Sequence, residues 1–371
     1  MSSVLTKQSE RLYSLDALRG FDMFWIMGAE DIFHNLNKAT GSPVFGAIAE
    51  ELTHPAWNGF HFYDLIFPLF LFMSGVATPF SVGRDREKGK TPNQLLGRVI
   101  KRGLLLVLIG VLYNNGLEIQ PLSEIRFGSV LGRIGLAWMF ANIIYLYTKE
   151  RTQMICFAAI LIGYWLLLAF NSAPGFPMGD LTMQGNFASY IDRSVLPGRL
   201  YLGIHDPEGL ISTIPAIASG LLGILAGNFL KNGTMTPERK SLAMAILGVL
   251  FVGLAHVWDI VFPINKNLWT SSFAMNVGGY SLILLSLFYY IIDVLGYKKW
   301  AFFFKVIGSN SIFIYVSGRF IEWDFATNGF FKWLGQLAGD PYNAVLLAIA
   351  YVLVKWSVLY MMHEKKIFLR V

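Results

Sequence analysis

Apolar runs near 20 residues long recur along the whole chain with short polar breaks between them, about the length an α-helix needs to cross a ~30 Å hydrocarbon core. Ten can be drawn, at 14–36, 61–83, 95–114, 128–147, 152–170, 209–230, 240–261, 271–296, 300–319 and 342–362. At ~20 residues each they occupy about 200 positions of the 371. Nine loops and two tails remain, with no room for a soluble domain. The pattern predicts an all-α polytopic membrane protein of about ten transmembrane helices, a single domain over 1–371. The first residues are polar (Ser2, Ser3, Lys7, Gln8, Glu10) and lack a short apolar stretch with a small-residue cleavage site, so span one is expected to act as its own insertion signal. Glycines within 209–230 and 275–280 are expected to let helices approach closely.

Lys and Arg divide unequally between alternate loops. One side holds Lys7, Arg11, Arg84, Arg86, Lys88, Lys90, Lys149, Arg151, Lys231, Arg239, Lys240, Lys298, Lys299, Lys365, Lys366 and Arg370. The other holds Lys38, Arg126, Arg193, Arg199, Lys266, Arg319 and Lys332. Cytoplasmic loops retain positive charge, so the first side is expected inside, with both termini. The net charge of +6 then reflects topology and calls for no nucleic acid. Composition agrees: charged residues are 15% of the chain against about 25% in soluble domains, and aromatics at 15% argue against disorder. A single cysteine, Cys156, excludes an intrachain disulfide or a zinc-type cluster, and no paired-His motif appears.

Ionisable groups inside spans are costly and mark candidate sites. In the first span, Asp16, Arg19, Asp22 and Glu30 fall within an arc of about 120° on one continuous helix. This stripe reads either as an ion-paired seam or as a functional face. Glu30 lies nearer the external end, beside Asp31 and without a cation in its turn. The next external loop carries His54, Trp57 and Asn58, followed by His61 and Asp64 at the mouth of span two. A neutral His can take a proton at pH 7, and an acidic partner would fix its tautomer. His54 and His61 compete for that role, with Asp64 as partner and an interfacial or capping role as the alternative. Trp57 and Phe60 also suit an aromatic belt. Arg98, Lys101 and Arg102, with the run at 84–90, read as a positive-inside flank that would also suit a phosphorylated ligand. Arg133 sits deep and is expected to pair with Glu30 or Asp64, and Ser309, Asn310 and Ser311 lie mid-span.

Seven motifs in order, over about 11–320, carry a resemblance: Ser14-Leu-Asp-Ala-Leu-Arg-Gly20, His54-Pro-Ala-Trp-Asn-Gly59, Asp64-Leu-Ile-Phe-Pro68, Gly132-Arg133, Asp206-Pro-Glu-Gly209, Asn265-Lys-Asn-Leu-Trp269 and Gly308-Ser-Asn-Ser-Ile312. Together they resemble the heparan-alpha-glucosaminide N-acetyltransferase family and its bacterial relatives. The resemblance implies a membrane-embedded acyltransferase that takes an acetyl group from cytoplasmic acetyl-CoA and delivers it to an amino sugar on the far side, with His54 matching the active-site His. His54 would act as base or as a transient acetyl carrier. The expected catalytic set is His54, Asp64 and Glu30. Arg19, Arg98, Arg102 and Asn310 are expected to contact the donor, and Trp57, Asn58 and Arg133 the acceptor. Asn58, Arg133 and Asn310 are also candidates for orienting groups or for the oxyanion. Expected partners are acetyl-CoA, an amino sugar or glycan and the lipid bilayer, with a homodimer as a further expectation and neither metal nor nucleic acid.

Two departures bear on the acceptor. The animal enzymes carry an additional luminal domain, where only about 14 residues precede span one here, and they have Asn where this chain has Glu30. A carboxylate there could bind a cationic amine or serve as a second base. A bacterial cytoplasmic (inner) membrane is the expected location, with amino sugars of the envelope or of scavenged glycans as acceptors. The alternatives are an O-acetyltransferase of envelope glycans and a proton-coupled sugar permease using the buried charges of span one. No paired repeat with broken helices is legible, which favours the enzyme.

Overall fold

The computed structural model of the chain describes residues 12–369, so Lys7, Arg11, Arg370 and the polar residues that open the chain lie outside the described part. The regular secondary structure of the described residues is helical, with two isolated β-bridges in the loops. The described part begins with α1 (Tyr13–Phe24), a π-helical turn (Trp25–Ala29), α2 (Glu30–Thr40) and α3 (Pro43–Glu51). A 3-10 turn (Phe62–Leu65) leads into α4 (Ile66–Val76) and α5 (Thr78–Glu87), then α6 (Pro92–Asn115), α7 (Val130–Tyr147), α8 (Glu150–Ala169) and the short α9 (Phe187–Val195). The remainder comprises α10 (Thr213–Lys231), α11 (Pro237–Asp259), α12 (Ser271–Phe288) with a π-turn to Val294, α13 (Phe302–Ser309), α14 (Ser311–Phe320), α15 (Trp323–Ala338) and α16 (Asn343–Glu364).

Among the described residues, seven helical stretches are long and apolar enough to cross a membrane: 62–87, α7, α8, α10, α11, 271–294 and α16. Each coincides with an apolar run of the sequence. The other three runs differ for identifiable reasons. α6 is continuous but carries Arg98, Lys101 and Arg102 in its first half. The first run is not one helix, because the π-turn places Gly28 at φ 120° and separates Glu30 from the helix bearing Asp16, Arg19 and Asp22. A positive φ of that size suits only glycine. The ninth breaks at Asn310, between α13 and α14. The expected continuous stripe from Asp16 to Glu30 is therefore corrected, and two of the apolar runs are broken helices.

Burial separates the helices into layers. The apolar stretches of 62–87, α10 and α7 are 78%, 72% and 67% buried and form the centre, whereas those of α8, α11 and α16 are only 22% to 28% buried. The outward residues of α11, such as Leu242, Ile246, Val249, Leu250 and Leu254, are exposed and apolar, the surface a bilayer covers. Small residues set the closest crossings, as expected. A Cβ on Gly223 would strike the Phe72 carbonyl of α4, and Gly248 of α11 and Gly279 of α12 approach each other's backbone. The two broken helices cross at Gly20 and Gly308, where a side chain on either would collide with the other's carbonyls.

Two sets of loops close the bundle. At one end, Trp57 Nε1 donates to the Leu181 carbonyl at 3.0 Å, Gly59 N to Ile264 O at 2.8 Å, and Arg126 is bridged to Gly198. At the other, Lys231 pairs with Glu87 at 2.6 Å, and Asp85 pairs with Lys90 at 3.0 Å and with Arg98.

Candidate active site at one end of the bundle

The first of those ends gathers the His54 loop, the mouth of α4 and the loop between α11 and α12. Pro55 confines His54 to extended backbone, and Gly59, at φ 118°, turns the loop so that its N–H reaches Ile264. On the facing side, Asn265 Oδ1 accepts from Leu268 N at 2.8 Å, while Thr270 Oγ1 accepts from Asn265 N at 3.0 Å. The two loops are joined by Asn265 Nδ2 donating to Asn58 Oδ1 at 3.0 Å. Trp269 closes this turn at φ 50°, unusual for a bulky residue, and its fully buried ring lies 5.0 Å beneath the Arg133 guanidinium.

The result is a three-residue cluster. Asp64, with no exposed surface, places Oδ1 2.7 Å from His54 Nδ1 and 3.3 Å from Lys266 Nζ, and its Oδ2 accepts from His61 N at 3.0 Å. Since a carboxylate can only accept, the short contact assigns the proton to His54 Nδ1 and leaves Nε2 as the acceptor. Lys266 Nζ stands 3.0 Å from that Nε2 and 3.1 Å from Nδ1, so the ammonium lies against the ring and not on one nitrogen alone. Burial pushes the Lys266 ammonium below the usual lysine range, with the Asp64 charge pulling the other way. The His54 side chain remains half exposed, at 49%. The two histidines differ in their partners: His54 meets the Asp64 carboxylate, whereas the His61 ring nitrogen lies against Thr53, at 3.2 Å from its carbonyl, and Asp64 takes only the His61 backbone.

Around this cluster the other expected residues separate. Glu30 lies beside the Tyr63 hydroxyl, and the Tyr63 ring packs 5.1 Å from His54, so Glu30 joins the site through one aromatic ring. It also has a cation that its own turn lacks: Lys355 of α16 faces it and donates to the Met27 carbonyl at 2.9 Å. Trp57 acts as a strut, with its edge on the His205 ring at 5.2 Å. Arg133 does not pair with Glu30 or Asp64. It donates to Pro207 O and Ser212 Oγ, because α10 begins beside it whereas the two carboxylates are turned toward His54 and Tyr63. Arg19 meets Asp16 at 3.5 Å, and Arg102 stacks 4.5 Å over Trp138 within electrostatic range of Arg19. Arg98 is engaged by Asp85. Asn310 uses both ends of its amide on the tail, donating to Ile367 O and accepting from Leu369 N at 2.9 Å each.

Sequence reasoning missed Lys266 and Lys355. Lys266 was legible only as one charge in an external loop and as part of a motif. Its partner lies 212 positions away, so no local spacing could reveal the pairing. Lys355 was legible only as a lysine inside an apolar run.

Residues 11–197 match the family model described as heparan-alpha-glucosaminide N-acetyltransferase, catalytic. The heparan-alpha-glucosaminide N-acetyltransferase of Mus musculus is 28% identical over 375 residues, covering 86% of this chain and 56% of the relative. That of Homo sapiens is 29% identical over 324 residues, covering 72% of this chain and 49% of the relative. The chain thus spans about half the length of the curated relatives it matches.

Proposed function

The chain belongs to the heparan-alpha-glucosaminide N-acetyltransferase family, and from that premise we propose that it is an integral-membrane N-acetyltransferase moving an acetyl group from cytoplasmic acetyl-CoA to an amino sugar at the opposite face, in a bacterial inner membrane. The observation that carries this reading is the Asp64, His54 and Lys266 cluster, which holds a half-exposed imidazole against a buried carboxylate and a partly buried ammonium.

In this reading the His54 end is external and the basic end, with both termini, is cytoplasmic. Phosphates suit the basic end, where Arg84, Lys88 and Lys101 are exposed and Arg98 and Lys90 are shared with Asp85. The bound donor supplies the thioester. His54 Nε2 takes the proton that the attacking amine must lose, and Asp64 holds the ring in the required tautomer and stabilises the imidazolium so formed. The proton then passes to the departing sulfur, so amine and thioester become amide and thiol. The Lys266 ammonium beside the ring works against the imidazolium, and in this reading its contribution is to stabilise the negative charge that develops on the thioester carbonyl. Glu30 faces the acceptor through Tyr63 and suits a cationic amine better than a hydroxyl.

The test is acetyl transfer from radiolabelled acetyl-CoA by the purified, reconstituted protein to a panel of amino and neutral sugars, beside His54→Ala. Amine-selective transfer that this variant abolishes is expected; undiminished transfer would remove His54 from the chemistry. An acetyl group isolated on His54 would replace direct transfer with a carrier step. The crossing broken helices favour a second reading, a sugar permease. Uptake of sugar into proteoliposomes without acetyl-CoA would establish it instead.

A further inference from the structure

The chain between α14 and α16 folds as α15, a helix of 16 residues. At 1.5 Å per residue it is about 24 Å long, too short to cross a ~30 Å hydrocarbon core. One side of it is fastened to its neighbours. Trp323, 5% exposed, donates from Nε1 to Ser317 Oγ of α14 at 3.2 Å. Thr327 is buried one turn on, and Gly335 lies so close to α16 that a Cβ there would strike the Asn343 side chain. At 100° per residue, Trp323, Thr327 and Gly335 fall within an arc of about 120°.

The rest of the circumference divides in two. Phe325, Phe330, Trp333 and Leu337 are 81%, 71%, 57% and 76% exposed. They share a second arc of about 140°. Asp324, Asn328, Lys332 and Gln336, each four residues from the next and all exposed, form a polar stripe beside it. In water the aromatic arc would be left uncovered, and in hydrocarbon the stripe would strip a carboxylate and an ammonium of solvent. Running side by side along the helix, the two fit a boundary between lipid and water. The Trp333 ring is prepared for that boundary, because its Nε1 already donates to the Phe330 carbonyl at 2.8 Å. The apolar surface continues past both ends of the helix, through Phe320 and Ile321 before it and Tyr342 after it, all exposed. α15 also packs on α16, whose apolar stretch is only 28% buried, so the arc borders a surface that a bilayer covers. Arg319, at the end of α14, shares a cavity wall with Arg126, which places α15 at the His54 end of the bundle.

We propose that α15 is an interfacial helix lying in the leaflet at the His54 end, with Phe325, Phe330, Trp333 and Leu337 among the acyl chains and the stripe from Asp324 to Gln336 at the headgroups. One carboxylate and one ammonium leave the stripe neutral, so the partner is leaflet hydrocarbon and no anionic headgroup is required.

Six single cysteines in a Cys156→Ser background test this: F325C, F330C and L337C on the apolar arc, N328C, K332C and Q336C on the polar stripe. Each is spin-labelled on the full chain in nanodiscs of phosphatidylcholine. Power saturation then compares collisions with oxygen, which concentrates in hydrocarbon, and with a neutral nickel chelate, which stays in water. The oxygen-to-nickel ratio is expected to be about tenfold higher on the apolar arc than on the stripe. Equal ratios at all six positions overturn the proposal: low throughout, α15 stands in water; high throughout, it is enclosed by lipid. Spin–spin broadening on the apolar arc that disappears on dilution with unlabelled chain would give that face to a second copy and also overturns it. Each label is read alone, so one that disturbs its own site leaves five to decide. No acetyl transfer enters the readout, and the result is independent of the proposed activity.

Discussion

Asp64 has no exposed surface, yet two nitrogen donors converge on one of its oxygens. A buried carboxylate so placed is stabilised only while both partners are present, and removing one leaves an uncompensated charge. Asp64→Asn keeps the volume but can no longer demand a proton on His54 Nδ1. It is expected to lower kcat by about 10²- to 10⁴-fold. Lys266→Met removes the charge that lies against the His54 ring and is expected to lower kcat by about 10²-fold. Lys266→Arg should recover part of that, because the charge returns in a planar shape that fits the ring less well. Steady-state transfer in proteoliposomes reads all three, and wild-type kcat in Asp64→Asn would show that the tautomer is fixed by something else.

At the scale of elements, the segment from α8 to α10 contains two titratable groups whose burial acts in opposite directions. Burial raises the Asp192 carboxyl to about 6 and lowers His205 to about 4. Asp192 holds more protons folded than unfolded between its ordinary value and about 6, so its contribution to stability falls as pH rises through that window. His205 holds fewer protons folded between about 4 and its ordinary value, so its contribution is present near neutrality and lost as pH falls. The two windows overlap and largely cancel. Asp192→Asn should therefore expose a steeper loss of stability from pH 6.5 to 4, and His205→Asn a gain over the same interval, followed by thermal unfolding. Parallel curves for both variants would refute the opposition.

The helices themselves show what could be read in advance. Seven spans follow from hydropathy, because lipid rewards an apolar surface regardless of what the helix contacts. The breaks at Gly28 and Asn310 do not, since each depends on distant partners: Lys355 and Tyr351 press on the first, and the tail backbone fills the amide of the second. His54 and Asp64 were legible because they lie ten residues apart, and Lys266 was hidden by its distance in the chain. The crossing of the broken helices provides a test at this scale. Gly308→Ala would push a methyl into the Asp16 carbonyl and is expected to cost about 1–3 kcal/mol. Gly253→Ala, with open space around its Cβ, should be neutral or slightly stabilising. Equal melting temperatures for the two variants would mean that α1 and α13 separate freely.

For the whole molecule, everything placed on one face or the other depends on orientation. The described loops fall into two sets, each knit by its own ion pairs and hydrogen bonds, and the basic set opposes the set holding His54. Positive loops resist translocation, so the His54 end should face outward. Lys38 lies in α2 on the way from span one to the His54 loop, and it is exposed. Cys156 is the one native thiol, so a Cys156→Ser background carrying Lys38→Cys has a single site to label. A membrane-impermeant maleimide is expected to react with it in intact cells. Reaction only after permeabilisation would turn the molecule over: His54 would then face the cytoplasm, and the acetyl group would have no membrane to cross.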